Sequence, residues 1–236
     1  MSNGYFKFRK FTVVQDRCAM KVGTDGTLLG AWASMPTGGS RVLDIGTGTG
    51  LIALMMAQRF PEAHVTGIDI DDDAVLQARQ NVACSPFASR ISILKADAAT
   101  FDDTEPFDAI VSNPPYFNDA LTCPDQQRTT ARHTVSLSYR TLVASACKLL
   151  SPEGLFSVVI PADCRTSFES EVRLAGLFLS RVCLVKTTPK KQPKRQLIEF
   201  RKYPVSELDI TEGVIEDEPH VRSEWYQRLT HQFYIR

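Results

Sequence analysis

Residues 41–60 read RVLDIGTGTGLIALMMAQRF, and no other stretch restricts the fold so strongly. A short apolar run (41–45) stops at a turn holding Gly46, Gly48 and Gly50, and an apolar segment with helical spacing follows at once. Alternating glycines accept positive φ and bring backbone amides close to a ligand with no Cβ in the way. A strand, a glycine turn and a helix in that order predict an open α/β sheet with a ligand at its carboxyl edge.

The alternation continues. Strands are predicted at 64–70, 90–97, 107–112 and 154–161, with helices at 50–60, 72–82, 138–150 and 163–176. Strands separated by helices form a parallel sheet covered on both faces. Two runs flanking residues 186–195 predict a closing antiparallel pair, which such sheets tolerate at an edge. The start, YFKFRKFTVVQD, alternates apolar and polar residues and predicts a small hairpin. The expected organisation is an arm and lead-in helix over 1–36, a catalytic domain over 37–203 and an acidic extension over 204–236.

Charge sharpens the picture locally rather than globally. The 236 residues carry 27 basic and 27 acidic side chains, so net charge does not mark a nucleic-acid binder. Residues 186–195, KTTPKKQPKR, hold five cations and no acid, whereas 206–220 are strongly acidic. The six cysteines have no CxxC spacing and predict buried free thiols, not a metal site. No apolar run approaches the roughly 20 residues of a membrane span, and a cytoplasmic protein is expected.

Three acids sit where strands end. Asp44 opens the glycine turn, where it can hold the loop or face a cationic group. Asp69 closes the second strand, where a carboxylate accepts hydrogen bonds from ribose hydroxyls; that alone would also suit a dinucleotide. Asp97 ends the third and suits the exocyclic amine of an adenine. Helix capping is the competing role for each, and Asp71–Asp73 are placed to take it from Asp69.

The fourth strand ends in NPPY, Asn113, Pro114, Pro115 and Tyr116. Proline lacks an amide hydrogen and stops a buried strand rigidly. An aromatic amine is a poor nucleophile until its lone pair leaves conjugation. The Asn113 side-chain oxygen and the Pro114 carbonyl can accept both of its N–H groups, and Tyr116 offers a face for stacking.

In this order, VLDIGTGTG, GIDI, KADA and NPPY resemble the class I S-adenosylmethionine-dependent methyltransferases. The resemblance implies a Rossmann-like, seven-stranded, mostly parallel sheet with an antiparallel C-terminal hairpin. It also implies a cofactor, S-adenosylmethionine, held by Asp44, Gly46, Thr47, Gly48, Gly50, Asp69, Ile70, Asp97, Ala98 and Asn113. KVGTDG at 21–26 and RTTARHTVSLSYRTLV further on resemble the bacterial tRNA1(Val) adenine-N6 methyltransferases, which modify the adenosine beside the anticodon. That likeness adds Lys21, Thr24 and Asp25 over the cofactor, and Arg128, Arg132 and His133 near the substrate. Lys190, Lys191, Lys194 and Arg195 are expected to meet tRNA phosphates; no metal is expected. Phe6, Phe8 and Phe11 are expected to face the core rather than to stack with bases.

Two alternatives share part of these signals. A protein-glutamine methyltransferase acting on a release factor also uses NPPY, though such enzymes carry a separate N-terminal domain and only about 40 residues precede the loop here. A non-catalytic nucleotide-binding module or a dehydrogenase fits the loop region but leaves NPPY without a role.

Overall fold

The computed structural model describes residues 4–17, 21–115 and 137–235. The chain opens with a hairpin of β1 (Tyr5–Lys7) and β2 (Thr12–Val14), followed by α1 (Thr24–Trp32). The alternating unit then runs β3 (Arg41–Ile45), α2 (Leu51–Arg59), β4 (His64–Asp69), α3 (Asp72–Ala83), β5 (Ile91–Lys95) and β6 (Phe107–Ser112). After α4 (Tyr139–Leu149) come β7 (Leu150–Pro161), α5 (Arg165–Leu174), β8 (Phe178–Lys186) and β9 (Arg195–Arg201). The tail adds β10 (Asp209–Val214), a small hairpin of β11 (Glu216–Glu218) and β12 (Val221–Arg222), and α6 (Glu224–Thr230).

The main sheet has the order β10-β8-β9-β7-β6-β3-β4-β5. Strands β3 to β7 are mutually parallel, and β9 runs antiparallel between β7 and β8. The sheet therefore has eight strands where seven were expected. The extra one is β10, which pairs in parallel with β8 from Asp209↔Arg181 to Val214↔Lys186. Most of its residues are exposed, so no apolar pattern announces it. Trp225 supplies part of the reason it docks: an added Cβ on Gly213 would overlap the indole, so the ring lies directly against that backbone.

Buried strands carry continuous apolar runs because both faces are covered. On one face α1, α2 and α3 enclose a core of Leu28, Leu29, Leu54, Met55 and Val65. On the other, α4 and α5 cover Phe107, Phe156, Phe168 and Phe200. Phe8 and Phe11 are buried in the first core, as expected, and Phe8 stacks on Tyr234 with ring centroids 5.8 Å apart. The two ends of the chain thus pack together: the Arg9 N–H also donates to the Phe233 carbonyl at 2.8 Å.

The expectation of buried thiols changes here, while that of no membrane-spanning helix holds among the described residues. The four described cysteines are free, but only Cys183 is buried; Cys84, at the end of α3, is exposed. No helix of the described residues is long and apolar enough to cross a membrane.

The fold sets the position of the site through its topology. Chain order reverses at β3, with β4 on one side and β6 on the other. At such a switch point the flanking loops diverge and leave a crevice at the carboxyl ends of the strands.

Candidate active site

The crevice begins with the glycine turn. Gly46, Gly48 and Gly50 have φ of +72°, +54° and +80°, conformations that side chains other than glycine adopt at a cost. An added Cβ on Gly46 or Gly48 would meet nothing within 4 Å, so both backbones border open space. Gly50 differs: its Cβ would lie 3.3 Å from Ala78, so it serves the approach of α2 to α3 and does not line the cleft. The turn is pinned from below, with the Gly46 and Thr47 N–H groups both donating to the Ile68 carbonyl, at 2.9 and 3.0 Å.

Asp44 lies beneath this turn, fully buried. Its Oδ2 accepts from Thr47 Oγ1 at 2.7 Å and from the Ala53 N–H at 3.1 Å. Its Oδ1 is buried and has no hydrogen-bond partner among the described residues. Burial raises its pKa from 3.8 to about 7, against the lowering effect of those two hydrogen bonds. A buried carboxylate with an unused oxygen is a site that a cationic ligand nearby would complete.

Asp69 ends β4, and its Oδ2 accepts the Gly48 N–H at 2.9 Å. Burial pushes its pKa upward as well. Capping of α3 falls to Asp71, whose Oδ1 accepts the Ala74 N–H at 2.8 Å. Ile70 beside it is exposed, an apolar face at the rim. Asp97 lies past β5, where its Oδ1 accepts the Ala99 N–H at 2.8 Å in a local turn, and Ala98 is buried.

The opposite wall is α1. Gly23 is its N-cap and, having no side chain, offers no capping oxygen of its own to the first turn. The helix lies close on α2, because a Cβ on Gly30 would overlap Met55 and one on Gly26 would come within 3.2 Å of Leu51. Its carboxyl end is held by Arg59, whose Nη1 donates to the Gly30 and Ala33 carbonyls at 3.0 and 2.6 Å. Burial and the neighbouring Arg181 lower the pKa of Arg59 to about 10. Arg181 itself stacks over Trp32 at 3.7 Å. Arg59 and Arg181 thus sit at the negative pole of the helix dipole, and its positive pole lies at the cleft.

Asn113 follows β6 on the third side. Ser112 Oγ donates to the Ile45 carbonyl at 2.8 Å, tying the ends of β6 and β3 together. A Cβ on Gly26 would stand 3.9 Å from Asn113 Nδ2, so the amide faces α1. Pro114 is buried and Pro115 partly so, which fixes the chain leaving the strand. Lys21, Thr24, Asp25, Gly46, Thr47, Gly48 and Asn113 line one cleft of about 240 Å³. Asp69, Ile70, Asp97 and Ala98 stand further along the same rim, outside that cleft.

The basic loop divides. Lys190, Lys191 and Lys194 are exposed between β8 and β9, on the carboxyl side of the sheet. Arg195 instead opens β9, lines the cleft and places Nε 2.6 Å from Asp25 Oδ1. Tyr116, Arg128, Arg132 and His133 lie outside the described residues.

One structural residue went unread in the sequence. Asn81 of α3 accepts the Val14 N–H at 2.8 Å, and donates to the Val14 and Thr49 carbonyls, both at 2.9 Å. It thereby clamps the N-terminal arm to the glycine turn. The signal was a polar residue on the buried stripe 74, 77, 78 and 81 of a helix.

The family model described as methyltransferase small domain matches residues 25–182. A protein of Phocaeicola vulgatus named tRNA1(Val) (adenine(37)-N6)-methyltransferase is 52% identical over 235 residues, covering 100% of this chain and 99% of that one. Proteins of the same name from Bacteroides thetaiotaomicron and Vibrio cholerae are 47% and 40% identical, with at least 99% of this chain covered and 99% and 96% of theirs. Among solved structures, a predicted O-methyltransferase from Agrobacterium tumefaciens superposes with a TM-score of 0.63 at 20% identity, covering 89% of this chain and 96% of that one. The glycopeptide N-methyltransferase MtfA, complexed with S-adenosylmethionine, reaches 0.55 at 14% identity, with 76% and 88% covered.

Proposed function

The chain belongs to the methyltransferase small domain family, and from that premise we propose that it methylates N6 of adenosine 37 in tRNA1(Val), as its full-length relatives are named for doing. It is an S-adenosylmethionine-dependent methyltransferase. The observation that carries the reading is the meeting of Asn113, the glycine turn and the amino end of α1 in one cleft at the switch point.

The residues present fit the cofactor. Open space over Gly46 and Gly48 admits its backbone-facing part. The amino end of α1, with Lys21 and Thr24 beside it, suits a carboxylate, and the orphaned Asp44 oxygen suits a positive charge. Asp69 accepts hydroxyl hydrogens while Ile70 offers an apolar face; Asp97 and Ala98 take the far end. When bound, S-adenosylmethionine supplies an electrophilic methyl group.

This chain's own residues do the rest by alignment. Asn113 Oδ1 and the Pro114 carbonyl accept the two N–H groups of the adenine amine, turning its lone pair toward the methyl group. Pro115 stiffens the corner, and Tyr116 stacks on the base. The amine becomes acidic as the new bond forms, so no strong base is needed. Orientation of this kind contributes about 7–11 kcal/mol in well-aligned pairs. An unpaired anticodon-loop base is extruded at lower cost than one in a duplex. Lys190, Lys191 and Lys194 on the same rim suit the phosphates, with Arg128, Arg132 and His133 assigned to the substrate by resemblance. A tRNA substrate implies work in the cytoplasm.

Nucleoside mass spectrometry of tRNA from cells with and without the gene tests this directly. Loss of N6-methyladenosine from tRNA1(Val) is expected. Transfer of label to a product that survives ribonuclease and not protease would overturn the RNA substrate.

A further inference from the structure

Arg195 closes the sequence run that looks most like a phosphate-binding loop, yet its side chain points the other way. The guanidinium reaches Asp25 in the first turn of α1 at 2.6 Å, and only 22% and 21% of the two side chains are exposed. Exposed ion pairs contribute little, because water and salt compete for both partners. This pair is largely withdrawn from water, so its attraction is screened less than that of a surface pair. Both residues line the cleft that also holds Gly46, Gly48 and Asn113.

The pair joins two segments of different function. Asp25 belongs to the first turn of α1, whose residues Thr24, Asp25 and Gly26 line the cofactor cleft. Arg195 is continuous with the loop carrying Lys190, Lys191 and Lys194. That loop is anchored at its base by the Lys186–Glu212 ion pair at 2.7 Å and by backbone bonds: the Lys194 N–H donates to the Val185 carbonyl at 3.0 Å, and the Lys194 carbonyl accepts the Ala162 N–H at 3.0 Å. The side chain of Arg195 adds a link from this base to α1.

We infer that the Asp25–Arg195 ion pair couples the two binding events, so that a filled cofactor cleft strengthens RNA binding at the basic loop. The inference rests on the RNA-methylating reading above. A ligand settled on the first amides of α1 holds that turn, the turn holds Asp25, and Asp25 holds the start of β9 with the loop in position. Arg195 is then a positioning residue, not a phosphate contact. Coupling of this kind is reciprocal, so RNA must tighten cofactor binding by the same factor.

The test uses the full chain, an unmodified tRNA1(Val) transcript and S-adenosylhomocysteine. RNA affinity is measured by fluorescence anisotropy with and without S-adenosylhomocysteine, and the affinity of the latter by calorimetry with and without RNA. The wild-type ratio is expected to be about fivefold or more, the low end of typical allosteric coupling. Asp25→Asn and Arg195→Gln each bring the ratio to one, while Arg195→Lys retains at least half of it on a logarithmic scale. A merely structural pair would lower the melting temperature and both affinities together, leaving the ratio intact; that result overturns the inference. A wild-type ratio of one overturns it too, as does Arg195→Lys behaving like Arg195→Gln. A wild-type protein that methylates the transcript with no coupling sinks only this inference. One that neither binds nor methylates RNA sinks the functional reading and the inference with it. Should one charge-removing variant fail to fold, the other and Arg195→Lys still decide between these outcomes.

Discussion

On the β3–β4–β5 side of the carboxyl rim, the glycine turn is held by the chain's own backbone and by polar side chains withdrawn from solvent. Ile68 O takes two amides of the glycine turn, Asp69 takes a third, and Asn81 grips the Thr49 carbonyl. On the β7–β9–β8 side the rim is a loop of exposed lysines beside an acidic tail. The first side has the rigidity needed to recognise a small ligand of fixed shape. The second presents charge on long side chains, which suits a large polyanion whose contacts are diffuse. The site joins a preorganised half to an adaptable one, and perturbing each half should produce effects of different kind and size.

The largest effect belongs to the buried acid of the rigid half. Asp44 has its pKa raised from 3.8 to about 7. A raised folded-state value means that stability is fully present below about pH 4 and is lost as pH rises through about 7, because the unfolded chain ionises first. About three units at 1.36 kcal/mol each give about 4 kcal/mol. Urea unfolding of the cofactor-free protein should therefore show Asp44→Asn gaining on wild type by about that amount between pH 4 and pH 8. Parallel pH profiles would return Asp44 to an ordinary loop carboxylate. A cationic cofactor favours the ionised form, so its affinity for wild type should rise with pH over the same window and do so less for Asp44→Asn.

Next comes the corner where the two halves meet. Asn113→Ala should lower the turnover rate by about 10²–10³-fold, the usual consequence of losing one preorganised polar contact to the reacting group. Affinity for S-adenosylhomocysteine should change by much less. Equal losses in both would make Asn113 a cofactor residue and detach the alignment role from it.

The glycine turn gives a smaller and more local effect. Gly48 (φ +54°) and Gly176 (φ +78°) both adopt left-handed backbone with nothing within 4 Å of an added Cβ. Alanine at either position should destabilise by about 1–3 kcal/mol. Only Gly48→Ala should also weaken S-adenosylhomocysteine binding, by about tenfold, since its methyl group occupies ligand space. Similar affinities for the two variants would mean that the turn does not touch the cofactor.

The same division governs what the sequence disclosed. The positions of Asp44, Gly46, Gly48, Asp69 and Asn113 were legible because each is set locally: a strand end, a backbone angle, a rigid corner. The strands β3 to β9 were legible from continuous apolar runs bounded by turns. Adjacency groups Arg195 with the lysines, and its contact with Asp25 across the fold could not be read from the sequence. The strand β10 was invisible because its residues are mostly exposed and its place depends on β8 and on Trp225 against Gly213. Likewise, that Phe8 and Phe11 face the core could be anticipated, but not that Tyr234 completes it. Long-range partners leave no periodicity in either segment.

The smallest effect is expected on the adaptable half, and its form matters more than its size. Lys190 and Lys191 are exposed, and the chain has no net charge, so few phosphates are neutralised. Replacing both with Ala should weaken tRNA binding only several-fold at low salt. The slope of log affinity against log salt should fall by about 1.4, at about 0.7 per phosphate contact on unpaired RNA. Sequence preference should not change, because phosphate contacts carry none. Arg195→Gln in the same assay separates the ends of one cationic run: a residue that points into the cleft should leave the salt slope nearly unaltered. If Arg195→Gln lowers the slope as much as a lysine does, Arg195 leaves Asp25 for a phosphate when RNA arrives, and the two halves of the rim share a residue rather than a boundary.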